Sequence, residues 1–326
     1  MSEIYDVAVI GGGPVGIFTA YYASMRTLKT VLIESMPQLG GQPQQLYPQK
    51  KIYDVGGQFA VTGAQLITNL LETDERFLYD RMLATTVQGF TATPQGYVIQ
   101  TNKSTVQARA IIITVGNGPI QPRKLACDYD PHLEGKQINY FVSDLEDYRD
   151  QTVLVAGGGD SAVDWALEIS HYAQQTFLLH RRSTFRALES SVQQLAHSKV
   201  QLLVPEIIKA CQLTADQRLA VTYQTIKTTT THQIIVDKLL VNYGMTADSR
   251  LLRKWQLQLA GPFIQVNSTM HTNLPYIYAA GDAVCYPGKE RLITLGWAEG
   301  PIAVNSAIND LKITKAPAGH SSSLFN

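Results

Sequence analysis

The chain has 326 residues, enough for about two domains at roughly 150 residues each. Its make-up of 45% hydrophobic, 17% charged and 9% aromatic residues excludes a disordered chain, and equal totals of 27 Lys+Arg and 27 Asp+Glu remove the basic excess expected of a nucleic-acid-binding protein. There is no apolar run of about 18 residues for a membrane span and no export signal, and Cys127, Cys211 and Cys285 show neither CxxC nor zinc spacing, so the expectation is a cytoplasmic protein with no metal site.

Residues 5–10 are short, apolar and β-branched, as in a parallel strand buried on both faces. Gly11-Gly-Gly-Pro-Val-Gly16 follows, then a helical stretch over 17–25 and a second strand over 29–34 that ends in Glu34. Residues 81–115 alternate apolar and polar and predict a small antiparallel sheet, whose last strand, 110–115, runs into Gly116-Asn-Gly118. The opening pattern then returns as a strand at 152–156, the turn Gly157-Gly-Gly-Asp-Ser-Ala162, a helix at 163–173 and a strand at 176–180. Residues 200–243 repeat the alternating behaviour. A final strand at 276–280 meets Gly281-Asp282, and a helix is expected over 295–311. The first glycines of the two turns are 146 residues apart, so one supersecondary unit occurs twice and two nucleotide-binding domains are expected.

In a GxGxxG turn the first glycine allows the bend, the second lets a pyrophosphate approach the backbone, and the third lets helix and strand pack closely. The phosphate lies at the helix N-terminus, where free N–H groups and the helix dipole favour an anion. Gly11, Gly13 and Gly16, with Val15 among them, fill the first pattern. Glu34 follows Gly11 by 23 residues, where a carboxylate can accept both ribose hydroxyls of an adenosine. A site of this kind takes FAD or NAD equally well. In the second turn Gly157, Gly159 and Ala162 hold the glycine positions, with Asp160 and Ser161 between them. The same count of 23 reaches His180, followed by Arg181 and Arg182. An arginine pair attracts a 2′-phosphate and grips it through bidentate hydrogen bonds, so NADP(H) is expected there. Arg186 is a further candidate.

Together these features resemble flavoproteins with two dinucleotide-binding domains, and among them the thioredoxin-reductase-like branch. The implied fold is α/β: two Rossmann-like, three-layer ββα domains, the second inserted in the first. The FAD-binding domain would cover 1–118 and 247–326, and the NADP(H)-binding domain 119–246, with hinges near Gly118 and Gly244. Thioredoxin reductases carry a redox-active CxxC before the second glycine turn. Here 140–148 contains no cysteine, which excludes ordinary dithiol relay chemistry. What remains resembles the ferredoxin–NADP reductases of the thioredoxin-reductase-like type. The match rests on segments 11–34, 39–48, 52–55, 116–124, 157–164, 279–282 and 286–289, and on the tail His320-Ser-Ser-Ser-Leu-Phe325.

The resemblance implies that Glu34 holds the adenosine ribose and that Gln42 and Tyr47 lie at the flavin, the Tyr47 ring stacked on the isoalloxazine. Val87 would meet the adenine through its backbone, Ile120 would line the ring, and Asp282 would hold the ribityl side. His320 and Ser322, in a tail over 312–326, would cover the other flavin face, within one chain or across a homodimer. No side chain performs covalent chemistry in this reading; the flavin carries the reaction between NADPH and an acidic one-electron carrier, ferredoxin or flavodoxin. Lys50, Lys51, Arg123, Lys124, Lys289 and Arg291 are candidates for the docking face. The alternatives are an NADPH-dependent reductase of a small acceptor (quinone, iron chelate or free flavin), a non-enzymatic nucleotide-binding redox sensor, and, with least support, a cysteine-based reductase using Cys127 or Cys285.

Overall fold

The computed structural model describes residues 4–74, 78–116, 118, 120–247 and 250–313. The chain divides into two units, residues 1–119 with 247–326, and residues 120–246.

The first unit opens with β1 (Ile4–Ile10), α1 (Pro14–Met25), β2 (Thr30–Ile33), the short α2 (Gly41–Gln45), β3 (Lys51–Ile52), β4 (Val61–Thr62), α3 (Gly63–Asp74) and β5 (Asp80–Met82). Strands β6 (Val87–Thr93), β7 (Gly96–Thr101) and β8 (Thr105–Ile113) follow. β1 runs parallel to β2 and β8, with Ala8 opposite Val31 on one side and Ile111 on the other. Its period-two alternation sorts its side chains between two cores. Val7 and Val9 join Leu32 and Ile112 against Ile17, Ala20 and Ala23 of α1. Ala8 and Ile10 join Val31 and Ile33 against Tyr97, Ile99 and Val106 of the antiparallel strands. Both faces are covered, which is why this strand is a nearly continuous apolar run. Each fully buried Ile or Leu contributes about 1.5–3 kcal/mol.

β8 is where the parallel and antiparallel parts of one seven-stranded sheet meet. Residues 105–108 pair antiparallel with β7, while from Gln107 onward the strand runs parallel to β1. It ends at Ile113 rather than Val115, because Thr114 turns its hydroxyl onto the carbonyls of Ile10 and Gly11, at 3.1 and 2.8 Å. α1 begins at Pro14, three residues before the sequence expectation. Proline needs no N–H partner in the first turn, and its fixed φ suits a helix start.

The second unit comprises β9 (Ile120–Pro122), β10 (Ile138–Asn139), β11 (Thr152–Gly157), α4 (Asp160–Ile169), β12 (Gln175–Leu179), α5 (Glu189–Ala196) and β13 (Gln201–Leu203). It continues with β14 (Glu206–Leu213), β15 (Leu219–Thr225), β16 (Thr231–Val236), β17 (Lys238–Asn242) and β18 (Met245–Ala247). A parallel sheet in the order β10-β17-β11-β12-β13 is accompanied by the antiparallel sheet β14-β15-β16, and β18 pairs with β9. Leu154, Ala156, Leu179 and Val241 pack against Ile208, Leu219, Val221 and Val236. α4 buries Ala162, Val163, Trp165, Ala166 and Ile169 and packs on β11 and β12. It stops at Ile169 rather than residue 173: Ser170 bonds the Leu167 carbonyl at 2.6 Å, and the following amides form short turns back to Glu168 and Ile169.

The chain then returns to the first unit as α6 (Arg250–Lys254), β19 (Leu259–Ala260), β20 (Phe263–Gln265), β21 (Ile277–Ala279), a 3-10 turn at Gly281–Ala283, β22 (Val284–Cys285) and α7 (Ile293–Asp310). β21 lies parallel to β8 in the main sheet, with Tyr278 opposite Ile112. α7 sets Ala303 and Ala307 in the same core as Ala20 and Ala23 of α1, and small residues on both helices permit their close approach. No helix among the described residues is long and apolar enough to cross a membrane.

Candidate functional site

The first glycine turn joins β1 to α1, and its tight packing needs glycine at both ends. Gly11 has φ +108°, and a Cβ there would lie 2.7 Å from the Thr114 carbonyl oxygen. A Cβ on Gly16 would lie 1.7 Å from the Gly11 oxygen. Gly13 differs: its Cβ would meet only the Gly41 Cα, at 3.9 Å, so the backbone at the start of α1 can be approached closely. Gly40 donates its N–H to the Gly12 carbonyl at 2.8 Å, which lays α2 on the turn and brings Gln42 beside Gly116.

Glu34, at the end of β2, is 8% exposed. Its Oε2 accepts the Gly12 N–H at 2.5 Å, and its Oε1 accepts Ser35 Oγ at 2.9 Å and the Met36 N–H at 2.7 Å. A carboxylate offers about four acceptor sites, so binding both hydroxyls of a ribose would displace at least one of these donors. Thr85 donates its N–H to the Glu34 carbonyl at 2.8 Å, which brings the backbone leading into Val87 alongside. The Val87 side chain itself points into the core.

Tyr47 and Asp282 come from opposite ends of the sequence, and the charge of one bears on the other. Burial, reinforced by the carboxylates of Asp282 and Asp54, pushes the Tyr47 hydroxyl well above its ordinary range. Burial also raises the Asp282 carboxyl, against the opposing pull of Lys289 and Arg291. Gly281, at φ +78°, packs on Val15. Its N–H donates to Glu299 Oε2 at 2.7 Å. Glu299 Oε1 accepts the Tyr286 hydroxyl at 2.5 Å and Lys289 Nζ at 2.6 Å. The Lys289 and Glu299 side chains are only 4% and 1% exposed.

This clamp was missed by sequence reasoning, and it corrects one expectation. Lys289 is not on a docking face, because its charge is spent inside the fold on Glu299. The available signal was an acid in the otherwise small and apolar stretch Gly296-Trp-Ala-Glu-Gly300. Ile120 begins β9, but its side chain, like His320 and Ser322, lies outside the described residues.

The second glycine turn joins β11 to α4. A Cβ on Gly157 would meet the Asn242 oxygen at 2.4 Å and the Ala162 Cβ at 2.7 Å. Alanine is therefore tolerated at the third position because Gly157 has no side chain facing it. A Cβ on Gly158 would strike the His180 ring at 2.2 Å. Phe185 stacks on that ring at 5.6 Å. Arg186 donates its N–H to the Gly158 carbonyl at 2.7 Å, and Leu188 donates to Asp160 Oδ1 at 2.9 Å, so the loop after β12 folds back over the turn.

Arg181, Arg182 and Arg186 are exposed there, as is Ser161 beside Gly159. Burial and the positive charges of all three arginines lower the pKa of His180, which favours the neutral imidazole. His180 Nε2 and Asn242 Nδ2 are buried without hydrogen-bond partners. Exposed cationic side chains stand around the N-terminus of α4, and that chemistry suits a phosphorylated nucleotide.

Of the other basic candidates, Lys124 pairs with Glu134 and lies over the Tyr140 ring, while Arg291 lies over Phe263 at 4.0 Å. Arg123 and Lys51 are exposed, and Lys50 is partly so.

A family model described as "Pyridine nucleotide-disulphide oxidoreductase" matches residues 5–307. The chain is 46% identical to "Ferredoxin--NADP reductase 2" of Latilactobacillus sakei over 325 residues, covering 99% of each protein. It is 43% identical to "Ferredoxin--NADP reductase" of Lacticaseibacillus paracasei, covering 100% of this chain and 99% of the relative. Among solved structures it resembles the thioredoxin reductase of Lactococcus lactis, with TM-score 0.82 and 26% identity over 95% of this chain and all of that one. A thioredoxin reductase from T. acidophilum shares the fold at TM-score 0.83 and 21% identity, covering 95% and 99%.

Proposed function

The chain belongs to the pyridine nucleotide-disulphide oxidoreductase family, with ferredoxin–NADP reductases as its full-length relatives, and on that footing we propose that it is an FAD-dependent enzyme passing electrons between NADPH and ferredoxin. The observation that carries the choice of nucleotide is the second glycine turn, where Arg181, Arg182 and Arg186 stand instead of a ribose-binding acid. The absence of any cysteine between residues 140 and 148 speaks against thioredoxin as the acceptor.

The residues fit both groups. For FAD, Gly13 leaves the N-terminus of α1 approachable, Glu34 is buried at the end of β2, and the charge of Asp282 bears on Tyr47. For NADP(H), the arginines and the N-terminus of α4 form the cradle, with the His180 ring packed against Gly158 behind it. When bound, the flavin supplies two-electron hydride chemistry on one side and single-electron exchange on the other.

The protein positions and shields. Gly11, Gly13, Val15 and Gly16 present helix amides to the FAD pyrophosphate, and Glu34 takes the ribose. Gln42 and Tyr47 lie at the ring, and the Tyr47 face excludes water. Val87 offers backbone to the adenine, and Asp282, next to the Gly281 amide that Glu299 holds, takes the ribityl chain. Gly157, Gly159, Asp160, Ser161 and Ala162 shape the second phosphate cradle. His180 backs it, and Arg181 and Arg182 grip the 2′-phosphate.

In this reading 1–118 with 247–326 binds FAD and 119–246 binds NADP(H). Ile120, His320 and Ser322 complete the flavin environment. The enzyme works as a homodimer; the exposed Tyr53–Phe59 ring pair, 6.2 Å apart, supports this as an apolar surface for a second copy. A cytoplasmic location is supported by the free thiols of Cys127, Cys211 and Cys285. An acidic carrier, ferredoxin or flavodoxin, docks on basic side chains of the flavin unit, Lys50, Lys51 and Arg291; Arg123 and Lys124 are basic candidates of the second unit.

Anaerobic stopped-flow reduction of the yellow protein tests the reading. NADPH should bleach it quickly, NADH slowly, and oxidised ferredoxin should restore the colour. Bleaching that ferredoxin does not reverse would leave a reductase of small acceptors. No bleaching by either nucleotide would leave a sensor.

A further inference from the structure

Cys127 and Cys211 are 84 residues apart, yet the fold of the second unit brings them to one place. The segment after β9 runs parallel to β14, with Asp128 opposite Ala210, and Cys211 donates its N–H to the Asp128 carbonyl at 3.0 Å. Each cysteine is one residue from that pair, so alternation sends both side chains to the same side of the local ladder. Both belong to one apolar cluster. Cys211 is buried within it at 2% exposure, and Cys127 is packed against its edge with part of its surface open.

The two thiols therefore lie close together inside one cluster, and each bears on the other's ionisation. That proximity draws the Cys127 thiol below its ordinary pKa, against burial and the Asp128 carboxylate. The same proximity, together with burial, pushes the Cys211 thiol up. Burial disfavours a thiolate more at the enclosed Cys211 than at the partly open Cys127, so Cys127 is the better nucleophile and Cys211 the resolving thiol.

We infer that Cys127 and Cys211 form an oxidisable dithiol, a modification site at which hydrogen peroxide closes an intramolecular disulfide. The Cys127 thiolate attacks one peroxide oxygen; the O–O bond breaks, Cys127 becomes a sulfenic acid, and the leaving hydroxide takes a proton to form water. The Cys211 sulfur then attacks the Cys127 sulfur. The S–S bond forms, the S–O bond breaks, and the departing hydroxide takes the Cys211 proton as a second water. Two thiols lose two electrons and two protons, and one peroxide becomes two waters. Cys285 lies in the other unit and takes no part.

The test is thiol counting and peptide mapping on the purified holoenzyme, without NADPH, before and after stoichiometric hydrogen peroxide. Denatured protein should fall from three titratable thiols to one, with a single cross-linked peptide pair containing Cys127 and Cys211, and dithiothreitol should restore three. Cys285→Ser should still form the bridge, and Cys127→Ser should not. Cys127 is the partly exposed member, so its replacement keeps the test decisive even where Cys211→Ser fails to fold. Retention of three thiols, a bridge containing Cys285, or accumulation of Cys127 sulfinic acid with Cys211 still free would each overturn the inference.

Discussion

Asp282 and Glu299 are acids of the same small region, and burial treats them differently. Glu299 is almost completely enclosed, yet it accepts from Gly281, Tyr286 and Lys289. Removing one partner of such a pair leaves an uncompensated charge, which typically costs about 3–5 kcal/mol. Asp282 has no partner of that quality, and burial holds its carboxyl above the ordinary value of 3.8. Its ionised form is therefore disfavoured by folding. The destabilisation is absent below pH 3.8, grows as pH rises through the folded value, and is complete above it. Asp282→Asn should accordingly raise the melting temperature of flavin-free protein at neutral pH, and the advantage should fade as pH drops toward 3.8, read by calorimetry across that range. The same variant should retain flavin less well. An advantage that grew on acidification would refute this reading of Asp282. Neither the clamp nor this strain was visible in the residue string. Gly281-Asp282 stood out as a motif, but the acid that anchors it lies 18 residues later on α7.

The loop from His180 to Leu188 decides the chemistry of the second turn. Two backbone-directed bonds, Arg186 to Gly158 and Leu188 to Asp160, fold it over the start of α4. The sequence placed Arg181 and Arg182 there by counting from Gly157, because strand and helix lengths in this unit are fixed by the sheet spacing. Arg186 remained only a candidate, since a loop has no period from which to count. A hydrogen bond to a charged group is worth about 1.5–3 kcal/mol, so losing two should lower kcat/KM on the order of 100-fold or more. Arg181→Ala combined with Arg182→Ala should show that loss with NADPH and little change with NADH. Equal loss with both nucleotides would mean that the arginines shape the loop and do not read the 2′-phosphate. Helix ends behave in the same way: α1 starts at Pro14 for a local reason already legible in the sequence, whereas α4 ends early at Ser170, whose hydroxyl competes for a helical carbonyl.

At the scale of the whole molecule the formal charge is zero, so attraction of an acidic carrier depends on local clustering. Five of the six proposed basic residues remain candidates once Lys289 is removed. The ferredoxin-dependent rate should fall as ionic strength rises past about 0.1 M, where the Debye length is about 10 Å, with more effect on kcat/KM than on kcat. A salt-independent kcat/KM for ferredoxin would rule out docking through these basic side chains.

What the sequence by itself determined were the two strand–turn–helix units, the glycine positions and the acid or arginines 23 residues beyond them. Each is a local pattern, set by the strand period of two, the helix period of 3.6 and the steric demands of a tight turn. Tertiary structure alone decided that Lys289 is buried on Glu299, that the charge of Asp282 bears on Tyr47, and that Cys127 and Cys211 share one apolar cluster. These contacts join residues from different elements, and burial and pairing arise only when sheets and helices close over them. A residue's neighbours in the chain fix its backbone geometry, whereas its partners in the core depend on which distant segments the packed layers bring to the same depth.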